Sequence, residues 1–324
     1  MEKTKLDQTT YGKAYEYACL TSIYNKSKGI RPVAIKDNSS LAVAKKAWDS
    51  LDETTKSTMS KSAQAGVDTL LKMEPKILED GTDTLELSLQ RDSKGQEGDV
   101  RDVLIIRRDI KWEIGISVKH NHSAVKHSRL SPTIDFGKEW LGLPCSADYF
   151  KEIEPVFEEL RSLMIKGLKW NEVMEKNSTV YIPLLNAFKR ELKRLSEEHG
   201  PEVPKKLLEY LLGRKDFYKI ISNDSRRFTM LQCFNLHGTL NTPSKSEKPS
   251  LKVRGVNMPS LIYHLDFKNK NGVISETTLQ LVMDNDWGVS FRIHNASTMV
   301  EASLKFDIQL TGVPSGMFSN SVEW

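Results

Sequence analysis

Asp102 opens an apolar run, Asp102-Val103-Leu104-Ile105-Ile106-Arg107, and Lys119 closes another that begins at Trp112. Arg108 to Lys111 reads as a turn between them, so the two runs form a hairpin more readily than a crossover. In the second run Ile114, Ile116 and Val118 share one face, and Glu113, Gly115, Ser117 and Lys119 share the other. Antiparallel pairing sets the start of the first strand beside the end of the second, which brings Asp102 close to Lys119. A carboxylate and an amine so placed have a joint chemistry. The carboxylate can hold Mg²⁺ against a phosphate oxygen while the lysine orients or helps deprotonate an attacking water. Taken alone, the pattern more often means an exposed hairpin with charged ends.

A third residue adds weight. Glu16 lies in Gly12-Lys13-Ala14-Tyr15-Glu16-Tyr17-Ala18-Cys19, flanked by residues that read as mostly buried. A buried carboxylate is costly unless it is paired or bound to a metal. The plainer reading is a surface glutamate paired with Lys13, and the segment by itself leaves the two even.

These residues need elements to hold them. The spacing predicts helices over 11–24, 42–51 and 60–71, the first with Thr9 and Thr10 as caps, then a half-buried strand over 85–89. Beyond the hairpin, 123–130 reads as a short basic helix. From Ser146 the pattern is helical, with stripes at Phe150, Ile153, Phe157 and Leu160, and at Leu184, Phe188, Leu192 and Leu195. A further helix runs from Pro204 to Leu212 and ends at Gly213. From about Arg226 the chain turns strand-like, over 228–234, 261–265, 278–283 and 304–310, with 241–252 as a long polar loop. The expected organisation is a core over 1–145, a helical segment over 146–224 packed on it, and a β-rich region over 225–324 that could recognise DNA.

Composition sets outer limits. The chain has 324 residues, 39% hydrophobic and 28% charged, which excludes a disordered or fibrous protein. Its 47 Lys+Arg against 43 Asp+Glu leave a net charge of only +4, so attraction to a polyanion must come from local clusters. Arg107 to Lys138 is such a cluster, with seven Lys+Arg against three Asp+Glu. No apolar run is long enough for a membrane span. The polar N-terminus is no signal peptide, and three scattered cysteines without metal spacing fit a reduced cytoplasm.

The order of these features resembles the PD-(D/E)XK nuclease superfamily. Within it, the longer phrases resemble the HaeIII-type type II restriction endonucleases. They are Gly98-Asp99-Val100-Arg101-Asp102-Val103-Leu104-Ile105-Ile106-Arg107, Trp112 to His122, Ala124 to Ser131 and Ile134 to Trp140. Tyr181 to Leu185, Glu209 to Gly213 and Asp216-Phe217-Tyr218-Lys219 continue the likeness, which covers most of residues 10–240. It implies an α/β fold, a mixed sheet flanked by helices with the hairpin at its centre, a helical segment and a β-rich C-terminal part. It also implies Mg²⁺-dependent cleavage of double-stranded DNA at the palindrome GGCC, leaving blunt ends, and a separate DNA methyltransferase that protects the host. A palindrome is most simply cut by a two-fold homodimer.

The sequence departs from the superfamily pattern at two places. Arg101 stands where proline usually precedes the aspartate, and neutral Ser117 stands at the middle acidic position. Glu16 is the natural source of the missing carboxylate. Asp99 is the reserve, whereas Glu113 lies six residues from Lys119, roughly 20 Å along a strand. The expected catalytic set is therefore Asp102, Lys119, Glu16 and Ser117, with Asp102, Glu16 and Asp99 for the metal. His120 and His122, with Lys126 and Arg129 on one helical face and Arg226 and Arg227 before a strand, are the candidate DNA contacts. A zinc site from His120, His122 and His127 lacks a fourth ligand. Two other classes remain open: a structure-specific repair or recombination nuclease, and a non-catalytic DNA-binding module whose site has decayed at Ser117.

Overall fold

The computed structural model describes residues 7–91, 98–121 and 125–324. The chain divides into two interleaved units, the first from residues 1–123, 213–256 and 316–324, the second from 124–212 and 257–315. The β-rich C-terminal region is therefore shared. Its first strand after Arg226 and its last belong to the first unit, and the strands between belong to the second.

The first unit is a seven-stranded mixed sheet with helices. In chain order its elements are α1 (Gln8–Ser27), β1 (Val33–Ile35), α2 (Ser39–Asp49), α3 (Glu53–Met73), β2 (Leu85–Leu89), β3 (Val103–Arg107) and β4 (Trp112–His120). After the second unit has supplied β5 (Lys126–Leu130), α4 (Ala147–Ile165), α5 (Ile182–His199) and α6 (Glu202–Leu212), the chain returns with β6 (Phe217–Asn223) and β7 (Phe228–Phe234). The second unit then adds β8 (Ile262–Lys270), β9 (Val273–Met283), β10 (Gly288–His294) and β11 (Leu304–Gly312), and β12 (Ser319–Glu323) ends the first.

The first sheet runs β1-β2-β3-β4-β6-β7-β12, so the expected hairpin β3–β4 is central. Val103 faces Ile116 and Ile105 faces Ile114 in antiparallel register, and β6 joins β4 in parallel. Parallel strands are normally covered, and here β6 lies so close under α3 that a Cβ on Gly66 would stand 2.9 Å from Ile220 Cγ2. Ala14, Ala18 and Ile23 of α1 pack with Val103, Ile105, Ile116 and Val118 in one buried cluster. Asp7, rather than Thr9 or Thr10, caps α1, its side chain accepting from the Thr10 amide at 2.7 Å.

The second unit holds an antiparallel sheet in the order β5-β11-β10-β9-β8. Its core is aromatic: Phe136, Trp140, Phe188, Phe291 and Phe306 meet with ring centroids 4.7 to 6.5 Å apart. One expectation fails here. The segment read as a basic helix over 123–130 is strand β5 from Lys126 onward, paired antiparallel with β11 from Leu130↔Leu304 to Lys126↔Ile308. Among the described residues no helix is long and apolar enough to cross a membrane.

Candidate active site

Asp102 is placed by backbone ladders on both sides. Its amide donates to Ile116 O at 2.8 Å and its carbonyl accepts from the Gln90 amide at 2.9 Å. The β3–β4 pairing runs out just there, and the side chain takes over the role of the next carbonyl. Asp102 Oδ2 accepts from the Val118 amide at 2.6 Å and from Ser117 Oγ at 3.3 Å. Lys119 Nζ stands 3.5 Å from the same oxygen. Every one of these contacts falls on Oδ2. Among the described residues no donor reaches Oδ1, and the side chain is 21% exposed. The hairpin thus brings together Asp102, Ser117 and Lys119.

Glu16 joins them from α1. It is 7% exposed, and its carboxylate accepts from Lys13 Nζ at 3.1 and 3.2 Å. Glu16 is therefore buried and not on the helix surface, although it has the Lys13 partner of the plainer reading. Burial, and then the neighbouring charge of Asp102, push its carboxyl up to about 8, while Lys13 and Lys119 pull it down. Glu16, whose ionisation Asp102 makes costlier, and the Asp102 oxygen that no donor reaches among the described residues are of the kind of hard oxygen ligand a divalent cation takes. No group of three or more His, Cys, Asp or Glu that could hold a metal occurs among the described residues. The pair matches an ion that takes one or two carboxylates and completes its shell with water and phosphate.

Asp99 is committed elsewhere. Both its oxygens accept from Arg101 at 2.7 Å, and Arg101 also pairs with Glu113 at 2.8 Å. Arg101, at the position where proline is usual, is buried and lies across Gly115, where a Cβ would come within 2.2 Å of its Cδ. Asp99 is thus a partner of Arg101 rather than a companion of Asp102, and its carboxyl is held below the usual range by that guanidinium despite burial.

His120 is another correction. It was expected at the DNA surface, yet it is 4% exposed, faces α1 beside Tyr11 and Tyr15, and is fixed by Asp224 at 2.7 Å from Nε2. Residue 120 shares its parity with Val118 and so points into the core side, opposite Lys119. His122 lies outside the described residues. Lys126 and Arg129 are three apart on a strand rather than on a helix, so they take opposite faces and share no phosphate track. Lys126 Nζ donates to Tyr210 O at 2.9 Å and sits 3.6 Å from that ring's centroid, with burial pushing its ammonium down to about 8. Arg129 pairs with Glu301 at 2.9 Å. Arg226 and Arg227 are exposed on the turn before β7, and Arg227 borders a cavity of about 420 Å³ lined also by Thr58, Lys61 and Trp324.

Lys219 escaped the residue-by-residue reading. The parallel ladder sets Ser117 opposite Lys219, on the Lys119 face, and Lys219 is only 3% exposed. Burial, followed by the charge of Lys119, pushes its ammonium down to about 7, with Asp102 opposing. The local sequence Phe217-Tyr218-Lys219-Ile220 gives no hint of this, since the neighbour is a hundred positions away.

The geometry converges with comparisons to known proteins. The family model described as HaeIII restriction endonuclease matches residues 12–314. The type II restriction enzyme HaeIII of Haemophilus aegyptius is 44% identical over 313 residues, covering 97% of this chain and 97% of its own. No solved structure matches. A central hairpin that pairs an aspartate with a lysine, on a chain matched from the first helix to the last strands of the second unit, belongs to the HaeIII restriction endonuclease family.

Proposed function

We propose that this restriction endonuclease cuts double-stranded DNA at GGCC to leave blunt ends, using Mg²⁺ held by Asp102 and Glu16. The observation that carries the site is Asp102 beside Lys119 across the hairpin, with no donor to Oδ1 among the described residues. Mg²⁺ bound there would supply positive charge at the scissile phosphate and a more acidic water. The Val118 amide and the Ser117 hydroxyl hold the Asp102 carboxylate in one orientation, which pre-organises it before DNA arrives. Lys119, more exposed than Lys219, is placed to orient the attacking water and to meet the charge that gathers on the phosphoryl oxygens. The His120–Asp224 bond ties the end of β4 to the turn after β6 and so fixes the direction of Lys119.

The palindromic target supports a two-fold dimer, and protection of the host genome in the cytoplasm calls for a methyltransferase of the same specificity. A digest of a sequenced plasmid with mapped product ends tests the specificity. Fragments without discrete ends would remove sequence reading. Lys119→Ala and Asp102→Asn test the site. Each should lower cleavage by about 10²–10⁴-fold and leave DNA affinity within about tenfold, because one charge is a small part of a many-contact interface. Either variant cutting at the wild-type rate places the active site elsewhere.

A further inference from the structure

The end of the first sheet that carries Asp102 and Lys119 also carries a cavity that the cleavage chemistry does not use. Strands β4 and β6 run parallel, so the turn after β6 stands at the same end as Lys119. Three bonds tie that turn to the residues after Lys119. His120 Nε2 bonds Asp224 Oδ2 at 2.7 Å, the Asn121 amide donates to Ser222 O at 2.9 Å, and the Asp224 amide donates to Asn121 Oδ1 at 2.9 Å. Asp224 and Arg227 of the turn, Thr58 and Lys61 of α3, and Trp324 border the cavity, whose volume is about 420 Å³.

Two cations on separate elements meet at this cavity, and the acids near them are engaged elsewhere. On α3, Glu53 takes Lys56 at 2.9 Å and Asp68 takes Lys26 at 2.7 Å. In the turn, both oxygens of Asp224 accept bonds, from His120 and Asn121 on one and Ser222 on the other. Among the described residues no carboxylate pairs with Lys61 or Arg227. Arg227 is also fixed in place. Its backbone sits at φ 49°, ψ 47°, its amide donates to Asp224 O at 3.3 Å, and its carbonyl accepts from the Trp324 amide at 3.0 Å. Trp324 is held in turn, its indole Nε1 donating to Thr229 Oγ1 at 2.9 Å. An aromatic wall displaces water and strengthens the pull of neighbouring cations on an anion. A guanidinium, an ammonium and a threonine hydroxyl at one cavity suit the oxygens of a phosphate.

We propose that this cavity holds one backbone phosphate of the substrate duplex, flanking the scissile one, with Lys61 and Arg227 sharing its charge. The proposal rests on the reading of this protein as a nuclease that cuts duplex DNA at Asp102 and Lys119. A strand whose scissile phosphate lies there carries a charge at every nucleotide to either side, and the cavity is bonded to the residues next to Lys119.

The test pairs Lys61→Gln with Arg227→Gln in one chain and measures metal-free affinity for a GGCC duplex across a range of salt. This double variant should bind about 3- to 20-fold more weakly at moderate salt, and the slope of log affinity against log salt should fall by about one, the share of a single phosphate. The charge-keeping pair Lys61→Arg with Arg227→Lys should retain the wild-type slope. Duplexes with one phosphate at a time replaced by a neutral methylphosphonate then locate the contact. At one position within a few nucleotides of the mapped cut, the double variant should lose no further affinity.

An unchanged slope in the Gln pair overturns the proposal. So does a fall of about two, which would give each cation its own phosphate, and so does a charge-keeping pair as weak as the Gln pair, which would make shape the requirement. A thermal midpoint raised by inorganic phosphate, with duplex affinity unchanged in the Gln pair, would make this a free-phosphate site and overturn the DNA assignment. Asp102→Asn is the reference and should lose cleavage while keeping the wild-type slope. If it cuts normally, the active-site reading has failed, and the methylphosphonate position relative to the mapped cut still decides the cavity.

Discussion

Glu16 lies more than eighty residues from the hairpin and still feels Asp102, whose charge is the largest influence on it after burial. Its neutral form is the comfortable one in the DNA-free protein, because desolvation and Asp102 together outweigh Lys13. Glu16→Gln mimics that neutral form in size and shape. The variant should fold normally, with a thermal midpoint equal to or above the wild type. Under the proposed metal assignment, in which Glu16 is the second carboxylate, cleavage should fall by orders of magnitude and should recover in part at higher Mg²⁺ or with Mn²⁺. Normal cutting by Glu16→Gln alongside a dead Asp99→Asn would move the second ligand to Asp99, against the Arg101 pairing seen here. Glu16 could be suspected from sequence because an acid amid Ala14, Tyr15, Tyr17 and Ala18 is unusual in chemistry, whichever way it points. Lys219 could not, since its meaning comes only from the strand beside it.

At the scale of elements, β3 and β4 were legible because apolar residues alternate over enough positions to fix a face, and a short turn fixes the register. Strand β5 was not. Lys126-His127-Ser128-Arg129-Leu130 has no apolar alternation, and its partner β11 begins at Leu304. The four charged or polar side chains sit comfortably on a helix or a strand, so only the distant pairing decides. The strand β6 was missed for a related reason: buried on both faces along Phe217-Tyr218-Lys219-Ile220, it lacks a period of two. The hairpin also carries a packing device with a testable consequence. Gly115 leaves room for the Arg101 side chain, whose Cδ would be 2.2 Å from a Cβ there. Gly115→Ala must push Arg101 off the strand and away from Asp99 and Glu113, and overpacking of this kind costs about 1–3 kcal/mol. Denaturant unfolding should show that loss. Cleavage should fall more than tenfold, because Arg101 is bonded through the chain to Asp102. A variant as stable as wild type would mean that Arg101 finds another path.

At the scale of the whole first unit, three separated stretches of chain must be sewn into one unit. Glu74, at the end of α3, is one of the stitches. Its Oε1 accepts from Tyr218 Oη at 2.7 Å and from the Asn241 amide at 2.5 Å, joining the first stretch to the second. Glu74 is fully buried, and its Oε2 has no partner among the described residues. Burial, only partly offset by these bonds, pushes its carboxyl from 4.5 up to about 7. Below pH 4.5 the group carries its proton in both folded and unfolded chains. Between there and about pH 7 the folded protein keeps the proton and the unfolded chain releases it, so stability falls as pH rises through that window. Above it the loss is complete and the slope ends. Glu74→Gln has no proton to release, and its amide oxygen can keep both accepted bonds. Relative to this variant, the wild type should lose about 3 kcal/mol on going from the lower to the upper end of the window. The two proteins should therefore be similar in stability near pH 4.5 and the variant clearly more stable at pH 8, as read by urea unfolding at each pH. Parallel stability curves across the range would show that Glu74 ionises as freely in the fold as outside it, and that the stitch is held by its hydrogen bonds with no cost from its charge.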